Sequence, residues 1–274
     1  MKNSFLSYTR KKPLVVFFIL TYIISWTLWA PLLGAEEDSP KFLMAFLILG
    51  GLGPLVSGII VSRIIGDIKN FKERNLRWKV KYTQYLLVIF LPILMYAFAY
   101  LLFLGIGGEG TDPADVPPIS PILAYPVLLL YVIILGGGLE EPGWRGFALP
   151  HLQKKYSPFI SSIIIGLFWF IWHIPLFFSE ITSQTGIPLF WYFLTTFALS
   201  CIFTMVYNRT NGNAFLAIIL HGGINAPTAW YPMYAFAKTP IGDINSYIPI
   251  TIIAYITVII LLVIWRPKFF NKLN

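Results

Sequence analysis

Residues 121–146 read PILAYPVLLLYVIILGGGLEEPGWRG, an apolar run that ends in two adjacent glutamates, Glu140 and Glu141. The run is long enough to enter a bilayer as a helix. An ionisable side chain at the centre of a membrane costs about 2.5–3.5 kcal/mol on insertion scales, so it is rarely present without a use. Of the 12 acidic residues, only these two cannot be placed in a loop between apolar runs. The stretch therefore predicts a membrane-embedded helix that ends in a polar site.

The composition of the whole chain agrees with a membrane setting. Hydrophobic residues make up 57% of the 274 residues and charged residues only 12%, whereas a soluble domain is usually about 25% charged. We expect an all-α fold, a polytopic bundle of about eight transmembrane helices. It forms a single domain over residues 1–274, with a motif-bearing core at about 121–235. The apolar runs that predict the helices lie at about 14–34, 42–65, 83–106, 121–141, 158–179, 187–207, 213–235 and 247–265.

The charges lie between the apolar runs and predict the orientation. All but Lys41 and Lys238 of the 20 Lys and Arg residues fall on one side of the bundle. The positive-inside rule places this side and both termini in the cytoplasm, which predicts a multi-pass protein of the cell membrane. The lipid bilayer then accounts for the net charge of +8, and we expect no nucleic-acid partner. The basic, partly amphipathic segment 67–81 predicts a helix on the anionic inner leaflet.

Glu140 and Glu141 are expected to have different roles. Neighbouring side chains on a helix diverge by about 100°, so the two carboxylates cannot face the same way. Arg145 lies four residues after Glu141, the spacing at which two side chains meet on one helical face. Pro142 cannot continue the preceding helix and suits the start of a new one, which predicts a break at Glu141. We expect Arg145 to hold Glu141 ionised and Glu140 to face the site, although a simple charge cluster at a helix end is an alternative.

Two histidines occur inside later apolar runs. His173 lies among aromatic residues, where a lone histidine is more often a packing residue than a catalytic one. His221 and Asn225 share one helical face, and Gly222 and Gly223 between them predict room for a substrate backbone. Alone, this pair is also explained as polar contacts between helices. Together with the two glutamates, the three polar positions predict a hydrolytic site inside the membrane.

The order of these motifs resembles a known family. Three motifs follow one another on three predicted helices: Glu140-Glu141-x-x-x-Arg145, Trp169-x-x-x-His173 and His221-x-x-x-Asn225. They resemble the CAAX protease and bacteriocin-processing family (also called CPBP or Abi), which includes the type II CAAX prenyl proteases. The resemblance covers about 121–235 and implies an intramembrane endopeptidase that acts on a peptide or protein, in the best-known case one with a lipidated C-terminus. One position departs, because Trp169 replaces the phenylalanine usual in the family.

The same residues suffice for a hydrolytic mechanism. Amide hydrolysis without a covalent intermediate needs an activated water, a proton donor for the leaving amine and a stabilised oxyanion. Glu140 and His173 are candidates to hold and deprotonate the water, and the resemblance implies that His221 and Asn225 stabilise the oxyanion. Glu141 and Arg145 would then position Glu140, and no cofactor is required.

Three alternatives stay open. Glu140, His173 and His221 match the two-histidine, one-glutamate set of catalytic zinc sites, but there is no His-Glu-x-x-His motif, and an oxyanion hole also explains Asn225. A transporter would use buried carboxylates to carry ions, yet the chain shows none of the internal repeats that mark many transporters. A non-catalytic immunity or scaffold protein would be expected to lack at least one of the four candidate catalytic residues, which are Glu140, His173, His221 and Asn225. The sequence does not give the physiological substrate.

Overall fold

The computed structural model describes residues 2–109, 121–229, 231, 236–239, 242–265 and 269–271. Helices dominate these ranges. They are α1 (Lys2–Lys11), α2 (Pro13–Trp29), α3 (Leu43–Gly51), α4 (Gly53–Ile65), α5 (Ile68–Leu76), α6 (Tyr82–Gly105), α7 (Pro121–Leu135), α8 (Glu141–Gly143), α9 (Leu149–Gln153), α10 (Pro158–His173), α11 (Leu189–Arg209), α12 (Ala214–Asn225) and α13 (Tyr247–Trp265).

Seven helical stretches in the described residues are long and apolar enough to cross a membrane. They are Pro13–Leu32, Leu43–Ile65, Tyr82–Gly105, Leu123–Gln153, Pro158–Phe178, Leu189–Arg209 and Tyr247–Trp265. The predicted polytopic helical membrane bundle is confirmed. The eighth predicted helix, at 213–235, corresponds to α12, which has 12 residues and is followed by a 3₁₀ segment, Ala226–Ala229. The rest of the predicted helix, apart from Tyr231, lies outside the described residues.

One end of the bundle gathers the N-terminal arm and the cytoplasmic loops predicted from the charges. Nε of Arg10 in α1 donates to the carbonyl of Ile64 at the end of α4, at 3.3 Å. Just after α4, Asp67 lies 4.0 Å from Nε2 of His151 in α9. The N-terminal arm, the end of α4 and the end of α9 therefore lie together.

The last described residues lie at the same end. The backbone N–H of Phe159, at the start of α10, donates to the carbonyl of Phe269 at 2.8 Å. Arg77, after α5, donates to the carbonyl of Asn211 between α11 and α12 at 2.7 Å. Both ends of the described chain thus lie at one end of the bundle, as an even number of crossings requires.

Helix α12 begins at this same end of the bundle, whereas α13 begins at the opposite end. There, Tyr247 at the start of α13 stacks on Tyr192 at the start of α11, with ring centroids 6.2 Å apart. A short antiparallel hairpin precedes α13, formed by β1 (Phe236–Thr239) and β2 (Gly242–Asn245), with Lys238 opposite Asp243. The all-α prediction did not include this hairpin, which lies between the runs predicted at 213–235 and 247–265.

The segment predicted as a surface helix is α5. It buries Phe71 and Asn75 against the bundle and exposes Lys69 and Lys72, as an amphipathic helix on a charged surface would. The predicted helix is present, and its contact with anionic lipid stays a prediction.

Candidate active site

The polar segment begins with a break in the backbone. Helix α7 ends at Leu135, and Gly137 has φ +111°, in the region that favours glycine. The chain then continues as a 3₁₀ turn to Glu140, and through α8, a π-helical turn (Trp144–Ala148) and α9. The prediction of a break at Glu141 is wrong. Pro142 lies in the first turn of α8, where its missing N–H needs no partner, and the glycines before it interrupt the helix instead.

Glu141 is fully buried and contacts two cationic or polar partners. Nη1 of Arg145 lies 3.0 Å from both carboxylate oxygens of Glu141, so the expected ion pair is present. Nδ1 of His221 lies 2.8 Å from Oε1 of the same carboxylate. We expected Glu141 to position Glu140. Its contacts instead position His221, since an ionised carboxylate accepts the Nδ1–H of the ring.

The buried cation of Arg145 is held between two aromatic rings. Its guanidinium carbon lies 4.9 Å from the ring centroid of Trp169 and 4.3 Å from that of Phe203. Cation–π contacts of this kind are worth about 2 kcal/mol when they are desolvated. Together with Glu141, the two rings explain how a guanidinium can be fully buried. The contribution of Phe203 was missed in the sequence, where it is one of 23 phenylalanines.

Glu140 faces a different set of groups. The indole Nε1 of Trp169 donates to Oε2 of Glu140 at 2.7 Å, and the side chain is 6% exposed. The two adjacent glutamates therefore diverge, as the helical spacing predicted. Glu141 belongs to an ion pair, and Glu140 points one oxygen toward Trp169 and the other toward Gly137.

The candidate catalytic groups meet beside Gly137. A Cβ atom built on Gly137 would lie 2.7 Å from Nε2 of His221, 3.1 Å from Oε1 of Glu140 and 3.2 Å from Nδ2 of Asn225. Because a real Cβ atom essentially never lies within 3.0 Å of another group, only glycine fits at this position. The missing side chain thus lets three polar atoms from two separate parts of the chain approach the same stretch of backbone. Gly137 carries no chemical group that would distinguish it in the sequence, so its place beside these residues was missed.

His173 is oriented by the helix that carries it. Its Nδ1 lies 2.8 Å from the carbonyl of Trp169, one turn earlier in α10. Because a carbonyl can only accept, Nδ1 carries the proton and the neutral ring presents Nε2 as an acceptor. The ring packs edge-on to Trp172 and Tyr192, with centroids 4.7 and 5.5 Å away. His173 is therefore prepared to accept a hydrogen bond, as a water-holding residue must.

His221 and Asn225 lie on one face of α12, as their spacing predicted. Nδ2 of Asn225 donates to the carbonyl of Gly136 at 2.9 Å, which ties the end of α12 to the break after α7. The prediction that Gly222 and Gly223 leave room for substrate is wrong. A Cβ on Gly222 would lie 2.7 Å from Ile133 of α7, and one on Gly223 would lie 3.0 Å from Pro92 of α6. These glycines allow α12 to pack closely between two neighbouring helices.

The surface helix α5 braces the turn that carries Arg145. Nε of Arg74 donates to the carbonyl of Gly146 at 2.8 Å, and its Nη2 lies 2.7 Å from Oδ2 of Asp67. Partial burial of Asp67 favours the neutral acid, but the hydrogen bonds from Arg74 and Asn70 outweigh it and lower the pKa of Asp67 below its usual value. The carboxylate thus stays ionised and fixes the side chain of Arg74. Arg74 in turn donates a hydrogen bond to one carbonyl group of the π-helical turn.

The candidate zinc ligands are Glu140, His173 and His221. Among the described residues, no three His, Cys, Asp or Glu side chains are grouped so that they could hold a metal ion. The Nδ1 atoms of His173 and His221 are hydrogen-bonded to a carbonyl and a carboxylate, so Nε2 is the atom through which either ring would bind a metal. The zinc alternative with Glu140, His173 and His221 as ligands stays a prediction.

Two comparisons show which known proteins this chain resembles. Residues 122–227, which include Glu140, His173, His221 and Asn225, match the family described as type II CAAX prenyl endopeptidase, Rce1-like. The resemblance to the CAAX protease family is confirmed. The chain is also 28% identical over 222 residues to CAAX prenyl protease 2 of Methanococcus maripaludis, an alignment that covers 77% of this chain and 82% of that protein. Family and relative both indicate a protease, and the seven apolar helices indicate that it is a multi-pass membrane protein.

Proposed function

We propose that this protein is an intramembrane endopeptidase of the cell membrane that cleaves a peptide bond with a water activated by Glu140. One observation carries the proposal. Oε1 of Glu140, Nε2 of His221 and Nδ2 of Asn225 converge beside Gly137, each 2.7–3.2 Å from the position of a Cβ atom built on that glycine. A general base and two potential oxyanion donors that lie close together are the groups that amide hydrolysis requires.

Glu140 and His173 act on the water. Nε2 of His173 accepts one hydrogen bond from the water, and Glu140 takes the other proton as the water oxygen attacks the carbonyl carbon of the substrate. The resulting tetrahedral intermediate carries the negative charge on the former carbonyl oxygen. Glu140 then returns its proton to the leaving nitrogen, the C–N bond breaks, and a carboxylate and an amine are released.

His221 and Asn225 stabilise the oxyanion. Asn225 contributes an amide N–H. Because Nδ1–H of His221 is directed at Glu141, Nε2 can donate only when the ring carries both protons. The pair of Glu141 and Arg145 therefore serves the oxyanion through His221, and no metal is needed for this step.

The proposed substrate is a peptide or protein whose C-terminus is lipidated. The relative from Methanococcus maripaludis is named a prenyl protease, and a prenyl chain gains about 0.8 kcal/mol for each CH₂ group buried in the bilayer. Such a chain would hold the scissile bond at the membrane, next to a site that is itself inside the bundle. Neither a nucleic acid nor a cofactor is part of the proposal.

The proposal is tested with purified protein in lipid nanodiscs and two peptides that share a CAAX-type C-terminus, one farnesylated and one not. We expect cleavage of the farnesylated peptide and at least tenfold slower cleavage of the other, with Glu140→Gln as the background. Equal cleavage of the two peptides would support the endopeptidase activity but exclude recognition of the lipid. If wild-type protein cleaves neither peptide, and its membranes show no new peptide termini relative to Glu140→Gln membranes, the proposed function is wrong.

A further inference from the structure

We infer that Trp169 is a positioning residue that holds the carboxylate of Glu140 in the orientation that acts on the water. The inference rests on the proposed function and goes beyond it, since nothing in the catalytic scheme above assigns a task to the indole. Trp169 is 5% exposed. It contacts Glu140, His173, Arg145 and His221.

Two hydrogen bonds make Trp169 the link between the two groups that handle the water. Its indole Nε1 donates to Oε2 of Glu140 at 2.7 Å, across 29 residues of sequence. Its backbone carbonyl accepts from Nδ1 of His173 at 2.8 Å. The same residue therefore fixes the rotation of the carboxylate and the tautomer of the imidazole. A group that orients both partners of a water molecule sets the geometry of attack.

The indole N–H leaves the two oxygens of Glu140 in unequal positions. Oε2 is engaged by Nε1 of Trp169, and Oε1 lies 3.1 Å from the Cβ position of Gly137, on the side of His221 and Asn225. Without the N–H, the carboxylate could rotate away from the plane in which its free oxygen faces His221. The base would then spend less time in the reactive orientation, although substrate could bind as before.

The ring of Trp169 also packs against the groups that serve the oxyanion. It stacks on the guanidinium of Arg145 with 4.9 Å from the cation to the ring centroid, and it meets the ring of His221 edge-on at 5.5 Å. These contacts depend on the shape of the ring, whereas the contact with Glu140 depends on one N–H. An experiment can therefore separate the two by keeping the ring and removing the N–H.

The test replaces Trp169 by phenylalanine, and separately by benzothienylalanine, which keeps the bicyclic shape and carries sulfur in place of the N–H. We expect each variant to lower kcat by about 10–100-fold with little change in KM, because the defect lies in the orientation of a bound reactant pair. The matched control is Trp29→Phe. Trp29 is also buried, but its Nε1 donates to the carbonyl of Leu47 at 3.0 Å and not to a candidate catalytic group. The Trp29→Phe variant should retain wild-type kcat.

The outcomes separate this inference from the proposed function. If benzothienylalanine at position 169 restores wild-type kcat while phenylalanine does not, Trp169 acts by packing and the inference is wrong. If both variants keep wild-type kcat, the inference is wrong as well. In either case, an active wild type and an inactive Glu140→Gln in the same assay would leave the proposed function standing. Equal activity of the wild type and Glu140→Gln would instead overturn the proposed function.

Discussion

Nδ1 of His221 lies 2.8 Å from Oε1 of Glu141, although 80 residues separate the two in the chain. The contact joins the end of α12 to the first turn of α8. It connects the buried ion pair of Glu141 and Arg145 to a ring whose Nε2 lies beside Gly137. Glu141 therefore has a structural partner and a candidate catalytic partner, and its removal should affect both stability and activity.

The first prediction concerns Glu141→Gln. Removing one member of a buried ion pair leaves the other charge unpaired and typically costs about 3–5 kcal/mol. We expect a loss of that order in the free energy of unfolding, measured by detergent-induced unfolding, together with loss of cleavage. Glu73→Gln, an exposed glutamate on α5, is the control and should change the free energy of unfolding by less than about 1 kcal/mol. Unchanged stability in Glu141→Gln would contradict the role of the ion pair.

The second prediction concerns Gly137→Ala. The new methyl group would lie 2.7 Å from Nε2 of His221, which is too close, so His221 or the backbone of Gly137 would have to shift. We expect cleavage to fall by at least about 100-fold, as when a donor to the oxyanion is lost. Gly34→Ala separates backbone strain from crowding of the site, because Gly34 also has a positive φ, +75°, and its Cβ would meet nothing within 4 Å. Wild-type activity in Gly137→Ala would contradict the placement of the catalytic groups beside Gly137.

Most of the fold could be predicted from the sequence because lipid requires continuous apolar helices. The exceptions are the end of α12 and the hairpin. The run predicted at 213–235 is an α-helix to Asn225 and a 3₁₀ segment to Ala229, and the hairpin lies between two predicted helices. An apolar run satisfies the hydropathy pattern whether or not all of it stays helical. The contacts of Gly222 and Gly223 with α7 and α6 show how closely α12 packs, which hydropathy does not predict.

The polar residues of the site could be predicted from their cost in a membrane, but their contacts could not. Spacing on one helix gives the pair of Glu141 and Arg145. It gives neither the contact of Glu141 with His221 nor that of Trp169 with Glu140, because both join separate helices. Trp169 and Gly137 carry no charge, so nothing in the sequence distinguishes them from other tryptophans and glycines.

The third prediction concerns orientation. The contacts place both ends of the described chain at one end of the bundle, and the distribution of basic residues makes that end cytoplasmic. Reporter fusions at Lys72 and Lys155 should therefore report the cytoplasm, and a fusion at Lys238 in the hairpin should report the other side. A cytoplasmic signal at Lys238 or an external signal at Lys72 would overturn this topology.

The fourth prediction concerns metal. We expect protein dialysed against a strong chelator, and verified by elemental analysis to be metal-free, to keep its activity. We also expect Asn225→Ala to lose about 10²–10³ in turnover, as oxyanion donors typically do. Under a zinc mechanism, His173→Ala and His221→Ala would each lose the metal, and Asn225→Ala would be milder than either. Activity that disappears with about one zinc per chain and returns when zinc is added would exclude the metal-free mechanism.

The central claim is that Glu140 is the base that activates the water, and Glu140→Gln tests it most directly. Glutamine keeps the size of the side chain and can still accept the hydrogen bond from Trp169, but it cannot take a proton from water. Single-turnover cleavage of a peptide that the wild type cleaves should be measured with excess enzyme in nanodiscs, with peptide binding and thermal unfolding recorded alongside. We predict normal binding, normal unfolding and no cleavage above background. Cleavage by folded Glu140→Gln at a rate near that of the wild type would contradict the claim.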